Sequence, residues 1–251
     1  METLLYQAIE AAITAGQAIL KIYETDFTVA HKPDQSPLTL ADSESHRIIV
    51  ERLETAGFPI LSEEGRQLPY QERQAWNTFW LLDPLDGTKE FVKRNGEFTV
   101  NIALITDGKP VMGVIYVPVA DVLYFGTIEN GAYKMATVAE RLMALVTPDE
   151  DKHQRISELC AAAERLPLPS PERFTVVGSR SHSTPDVAAI VEKLKKRHGD
   201  VDLIPAGSSL KICMVAEGRA QLYPRTGPTM EWDTAAGQAI AEAAGAVMVV
   251  F

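Results

Sequence analysis

Apolar residues in the first 23 positions recur at helical spacing. Leu5, Ile9, Ala12, Ile13 and Leu20 fall on one face, which predicts an amphipathic helix over 2–23. Gly16 shares that face; it weakens the helix slightly and lets a neighbour pack close. The polar stretch from His31 to Pro37 reads as loop. Leu38-Thr39-Leu40-Ala41 leads to Asp42, which is placed to cap a second helix running to about Ala56 and stopped by Gly57. Phe58–Leu61 reads as a short strand and 67–77 as loop. Phe79-Trp80-Leu81-Leu82 reads as a buried strand that ends abruptly at Asp83. From Glu97 to Thr106 the chain alternates and is rich in β-formers. Asp107-Gly108 is a hairpin signal, strands follow at 110–117 and 122–127, and Asn130-Gly131 marks another turn.

The pattern loosens over 138–172, where Leu166-Pro167-Leu168-Pro169-Ser170-Pro171 forms a stiff connector. Beyond it strand and helix alternate: strands at 174–177, 201–204, 220–223 and 246–251, helices at 185–196, 208–217 and 234–244. The expected organisation is an α+β domain over 1–137, an irregular connector over 138–172 and an α/β domain over 173–251.

Composition narrows the class. At 251 residues the chain can hold one large domain or two small ones, and no apolar run approaches a membrane span. Met1-Glu2-Thr3-Leu4-Leu5 lacks the basic region of a secretory signal. The two cysteines, Cys160 and Cys213, have no metal or redox spacing, so a reducing cytoplasm is the simplest setting. A net charge of −10 argues against a nucleic-acid polymer as partner. It leaves room for an anionic small molecule, since bound metal reverses the local charge.

The candidate chemistry centres on Asp83-Pro84-Leu85-Asp86-Gly87-Thr88-Lys89-Glu90-Phe91. Two carboxylates three residues apart at a strand end can converge on one point. Gly87 permits a sharp turn into a short helix, and the amides of Gly87 and Thr88 would face the same point, a natural seat for phosphate. Carboxylates beside phosphate repel it unless a hard cation, Mg²⁺ above all, stands between them. Asp, Pro and Gly are also ordinary turn residues. Glu63 and Glu64 follow another strand end, Ala206-Gly207-Ser208-Ser209-Leu210-Lys211 is a strand-to-helix turn carrying a cation, and Glu231-Trp232-Asp233 opens a small-residue helix. Each has a plain structural reading as solvated surface or helix cap.

Together these segments resemble the lithium-sensitive, Mg²⁺-dependent phosphatase superfamily that includes inositol monophosphatase, and within it the bacterial 3′(2′),5′-bisphosphate nucleotidases of the CysQ type. The resemblance is carried by Leu38–Asp42, Leu61–Glu64, Asp83–Phe91, Arg94–Ile105, Gly178–His182, Gly207–Lys211 and Met230–Ala236, in the family's order. It implies a layered αβαβα sandwich. It implies that Glu63, Asp83 and the Leu85 carbonyl hold one Mg²⁺, that Asp83, Asp86 and Asp233 hold a second, and that Glu64 organises a third and its water. Thr88 paired with Asp42 would orient or deprotonate the attacking water, and the amides of Gly87 and Thr88 would receive the phosphate.

The same resemblance implies a substrate. Lys89-Glu90 stands where inositol monophosphatases usually have Thr-Asn, and the Gly-Ser-Ser-Leu-Lys form belongs to the nucleotidases. His182, Gly207, Ser208, Lys211 and Arg225 would surround a nucleotide, with Lys211 and Arg225 answering a second phosphate. The implied reaction is hydrolysis of adenosine 3′,5′-bisphosphate to AMP and phosphate by a cytoplasmic monomer or homodimer, with peripheral association at the inner membrane left open. Inositol phosphate or fructose bisphosphate hydrolysis is the alternative within the superfamily, and a silent nucleotide sensor the alternative outside catalysis. Family members commonly continue past the strand matching 246–251, so a shortened final edge is expected.

Overall fold

The computed structural model of the chain describes residues 1–31, 37–66, 68–138, 152–179 and 185–250. Helix α1 (Glu2–Tyr23) has the predicted bounds, with an acidic first turn and a basic last turn that suit the helix dipole. It buries Leu5, Tyr6, Ile9, Ile13 and Ile19, while Leu20 is only half-buried. A Cβ on Gly16 would lie 2.4 Å from Tyr116 Cε1, so the glycine is where a strand residue presses into the helix. Helix α2 (Leu40–Leu53) packs against α1 and ends through a 3₁₀ turn, Glu54–Ala56, at Gly57 in the left-handed conformation (φ 74°). Its N-cap is Thr39, not Asp42; Asp42 is three residues on and accepts the Thr39 N–H at 2.8 Å.

Two short strands, β1 (Val29–His31) and β2 (Pro37–Thr39), pair antiparallel on either side of the expected loop. The central sheet has seven strands in sequence order: β3 (Ile60–Ser62), β4 (Thr78–Asp86), β5 (Thr99–Thr106), β6 (Lys109–Val117), β7 (Val122–Thr127), β8 (Gly131–Ala136) and β9 (Glu164–Arg165). Only the β3–β4 pair is parallel. Asp107 and Gly108 both take positive φ in the predicted hairpin. Alternate side chains of β5 feed different cores: Val100, Ile102 and Leu104 join the α1/α2 side, Ala103 and Ile105 the other. Both faces are thus covered, and the alternation within the strand is not an exposed/buried one.

The interval 67–77 contains a one-turn helix, α3 (Tyr70–Arg73), rather than loop alone, and α4 (Thr88–Val92) follows β4. The stretch 138–172 departs most from expectation. Residues 139–151 lie outside the described set, but α5 (Lys152–Ala162) packs on α1 and β9 extends the main sheet. Its large apolar positions are few, which hides the helix from a periodicity reading; it is buried through Ile156 and Leu159 and through Arg155, which donates to Tyr6 Oη at 2.9 Å.

On the far face lie α7 (Leu210–Ala216) and α8 (Glu231–Ala243). Gly113 lets α8 approach β6 so closely that a Cβ there would lie 2.2 Å from the Ala236 carbonyl oxygen, and Gly237 gives Ile212 of α7 the same close access to α8. Outside them a parallel pair, β10 (Phe174–Ser179) and β11 (Val201–Ala206), is backed by α6 (Pro185–His198). The layers therefore run αβαβα. The expected strand at 220–223 is reduced to one bridge, Val176 to Leu222. The expected helix at 208–217 begins only at Leu210, because Ser208 is left-handed (φ 41°). No strand forms over 246–250, where Val247, Val249 and Val250 are exposed; an apolar run becomes a strand only against a pairing edge, and none of the described strands pairs with it. Glu217, fully buried at the C-terminal end of α7, accepts from Tyr124 Oη at 2.5 Å and pairs with Lys134, which ties α7 to β7 and β8. Among the described residues no helix is long and apolar enough to cross a membrane.

Candidate active site

Strand β4 does not stop at Asp83 but continues to Asp86. Asp83 is opposite Asn101 and Asp86 opposite Thr99, with a register shift between them. Pro84 has no N–H to give a ladder, so this is where the pairing slips. The Pro84 carbonyl instead accepts from buried Ser45 Oγ at 2.7 Å, and the Leu85 N–H is donated to Asp83 Oδ1 at 3.2 Å. Gly87 then turns the chain at φ 92°, a left-handed value suited to glycine, and a Cβ there would meet Ser208 Cβ at 3.1 Å. Because β3 runs parallel beside β4, the Glu63 N–H reaches the Leu82 carbonyl at 3.1 Å, and the acidic pair 63–64 emerges next to Asp83.

Asp42 comes from α2. Its Oδ2 accepts from Thr39 N at 2.8 Å and Thr39 Oγ1 at 2.7 Å, while Oδ1 accepts from Thr88 Oγ1 at 3.2 Å. The pair expected from the resemblance is thus in contact, and Asp42 is buried. From the opposite layer, Ser209 Oγ lies 2.6 Å from Asp86 Oδ2 and 2.9 Å from the Asp233 carbonyl oxygen. Asn101 Nδ2 donates to Ser209 Oγ at 2.9 Å and reaches Asp86 Oδ2 at 3.4 Å. Ser209, Asn101 and Ser45 had no assigned role in the sequence reading. Asn101 did leave a signal: it is an amide inside the run Val100–Ile105, where a buried polar group needs a partner.

One pocket is lined by Asp86, Gly87, Gly207, Ser208, Lys211, Arg225 and Asp233, together with Lys89, Glu90 and Tyr223. Asp42, Glu63, Glu64 and Asp83 are not in its lining; Asp42 and Asp83 are buried beside it. His182 lies outside the described residues. Lys211 Nζ donates to the Ser208 carbonyl and sits 5.6 Å from the Tyr223 ring centroid. Arg225 donates to the Pro228 carbonyl at 2.7 Å and lies 3.7 Å from Asp233 Oδ2.

The electrostatics are those of a crowded acidic centre. Burial raises the Asp83 pKa well above the carboxylate range, and Asp86, Glu63 and Asp233 push it further. Burial also raises Asp86, opposed by the Ser209 hydrogen bond. Lys211 is pulled down by burial and held up chiefly by Asp86. As placed, the acidic groups do not close into a coordination shell: among the described residues no three His, Cys, Asp or Glu side chains converge as metal ligands. Asp233 accounts for part of this, since its Oδ2 accepts from Thr229 Oγ1 at 2.8 Å and Met230 N at 3.2 Å. The donor set nevertheless fits a hard divalent cation. Asp83 is buried among the like charges of Asp86, Glu63 and Asp233, a desolvated position where a cation or protonation relieves the charge, while Asp86 is also eased by Ser209, Asn101 and Lys211.

Comparison with known proteins identifies the family and the fold. The family described as "Inositol monophosphatase family" matches residues 1–251. The chain is 44% identical over 247 residues to the 3′(2′),5′-bisphosphate nucleotidase CysQ of Salmonella typhimurium strain LT2, covering 97% of this chain and 89% of the relative. Identity to the protein of the same name from Escherichia coli K12 is 43%, with the same coverage. Among solved structures it is similar to CysQ from Bacteroides thetaiotaomicron, with a TM-score of 0.84 and 50% identity over 95% of this chain and 85% of that one. The inositol monophosphatase from Anabaena (Nostoc) sp. PCC 7120 shares the fold, with a TM-score of 0.64 at 24% identity over 97% of this chain and 82% of that one.

Proposed function

The chain belongs to the inositol monophosphatase family, and we propose that it removes the 3′-phosphate of adenosine 3′,5′-bisphosphate to give AMP and phosphate. Enzymes of this family are metal-dependent phosphatases, generally using Mg²⁺. Glu63, Asp83, the Leu85 carbonyl, Asp86 and Asp233 would hold two to three such ions, with Glu64 organising the third. Bound there, Mg²⁺ neutralises phosphate oxygens, lowers the pKa of water and stabilises the leaving oxygen.

The chain's own groups supply orientation and proton handling. Thr39 fixes Asp42 with two hydrogen bonds, and Thr88 Oγ1 donates its hydrogen to Asp42 Oδ1. The Thr88 oxygen is thereby left as an acceptor for a proton of the attacking water. Thr88 is the first residue of α4, so its amide has no acceptor within the helix and is available to a phosphate oxygen. Ser209 and Asn101 hold Asp86 from the opposite layer. Lys211 and Arg225 answer the 5′-phosphate by charge-assisted hydrogen bonds, and His182 is assigned to the base. Free Cys160 and Cys213 suit a cytoplasmic setting.

The observation that carries this reading is a pocket whose lining gathers Asp86, Gly87 and Asp233 together with Ser208, Lys211 and Arg225. A substrate with two phosphates engages both the acidic groups, through metal, and the two cations; a polyol monophosphate has no second anion for the cations. Phosphate release from adenosine 3′,5′-bisphosphate and inositol 1-phosphate, measured side by side with saturating Mg²⁺, tests it. Faster turnover of the nucleotide supports the assignment. Preference for inositol phosphate overturns the substrate and leaves the phosphatase chemistry standing.

A further inference from the structure

Glu97, Thr99 and Asn101 occupy alternate positions leading into and along β5, and alternate positions of an extended chain present side chains to one face. Their partners on the opposite layer run in the same order. Glu97 Oε2 accepts the Gly207 N–H at 2.9 Å, Thr99 Oγ1 lies 3.4 Å from Ser208 Oγ, and Asn101 Nδ2 donates to Ser209 Oγ at 2.9 Å. Thr99 Oγ1 also donates to Asn101 Oδ1 at 2.9 Å, which turns the amide's NH₂ end toward Ser209. Three successive residues of the 207–209 turn are therefore docked on three alternate residues of the strand that borders Asp83 and Asp86.

The seat is tight as well as polar. A Cβ on Gly207 would lie 2.8 Å from Glu90 Cγ and 3.0 Å from Glu97 Cβ, so the turn rests on these side chains through bare backbone. Ser208 is held left-handed at φ 41°, a conformation an L-residue keeps only when its surroundings impose it. The Ser208 carbonyl then receives Lys211 Nζ, so the position of the turn is passed to the buried cation. None of Glu97, Thr99 or Asn101 lines the pocket itself.

We infer that Glu97 and Thr99 are positioning residues that set where Lys211 meets the second phosphate, and so govern discrimination between a bisphosphate and a monophosphate. This rests on the nucleotidase reading above. The polar strip converts the register of β5 into the distance between the phosphate-splitting centre and the cation that reads the far anion.

The test compares kcat and KM for adenosine 3′,5′-bisphosphate and adenosine 3′-monophosphate in wild type, Glu97→Ala, Glu97→Gln and Thr99→Val. Glu97→Ala is expected to raise the bisphosphate KM about tenfold, the scale of one lost hydrogen bond. The monophosphate KM and both kcat values stay within about twofold, as for an interaction felt only by the far phosphate. Glu97→Gln keeps an oxygen for the Gly207 N–H and returns the bisphosphate KM to within about threefold of wild type. Parallel rises in both KM values, an equal loss of kcat with both substrates, or a Gln variant as defective as the Ala variant overturns the inference. If Glu97→Ala does not fold, Thr99→Val decides: its bisphosphate-to-monophosphate KM ratio rises about threefold, or the inference falls. A wild-type enzyme without preference for the bisphosphate defeats the nucleotidase reading instead, and an unaltered preference in the variants defeats the positioning role alone.

Discussion

Replacing Asp83 with Asn keeps the side chain's shape and its acceptor for the Leu85 N–H while removing one buried charge. Burial, then Asp86, Glu63 and Asp233, raise the Asp83 pKa in the folded chain. The native state then binds the proton more tightly than the unfolded state, so stability falls as pH climbs from the unfolded value of about 4 through the raised native value. Above the native value, each unit of the shift costs the fold about 1.4 kcal/mol. In EDTA at neutral pH, Asp83→Asn should therefore melt above wild type, by about 2–4 °C for each kcal/mol regained in a chain of this size. It should also flatten the pH dependence of stability above about pH 4. Mg²⁺ reverses the order. At a hundred times its dissociation constant a ligand of the native state contributes about 2.7 kcal/mol, or about 5–11 °C, to wild type. The neutral amide should forfeit most of that gain, and phosphate release should fall at least about a hundredfold. Thermal melts in EDTA and in Mg²⁺, with phosphate release alongside, make the comparison. A variant less stable than wild type in EDTA, or one that keeps the full Mg²⁺ shift, refutes the placement of Asp83 in a repulsive metal site.

Thr88→Val removes the hydroxyl that reaches Asp42, and kcat should fall by about 10²–10⁴ with KM little changed; a kcat within threefold of wild type in steady-state assays would remove Thr88 from the proton path. Lys211→Met should raise the bisphosphate KM by about ten- to a hundredfold, the scale of a hydrogen bond to a charged group, and titration with AMP should weaken in step. Gly16→Ala places a methyl 2.4 Å from the Tyr116 ring; overpacking of about 1–3 kcal/mol should outweigh a helix-propensity gain of at most about 1 kcal/mol, and urea unfolding that finds the variant more stable would show that Tyr116 can yield.

The sequence by itself determined the local events. The period of Leu5, Ile9 and Ile13 defined α1 to the residue, the Asp107-Gly108 pair defined its hairpin, and Gly57 and Gly87 sat where the chain takes positive φ. These depend on near-neighbour sterics and on which face must leave water, and both are written in consecutive residues. Weaker periods misled. The strand expected to end at Asp83 runs to Asp86 because β5 continues beside it, and the run 246–250 pairs with none of the described strands despite its valines. Helix α5 hid in a polar stretch because its buried positions are two aliphatics, Ile156 and Leu159, beside the charged Arg155.

The acidic centre was legible as a set of residues and not as an arrangement. Glu63 stands next to Asp83 only because β3 and β4 are parallel neighbours, and Asp42 meets Thr88 only because α2 packs over the strand end. The Ser209–Asn101–Asp86 contacts and the Glu97–Gly207 hydrogen bond join residues more than a hundred positions apart, apart from the local Asn101–Asp86 link. No propensity or spacing encodes such pairs. They exist because close-packed layers leave each buried polar group one place to find a partner, and only the tertiary structure fixes where that place is.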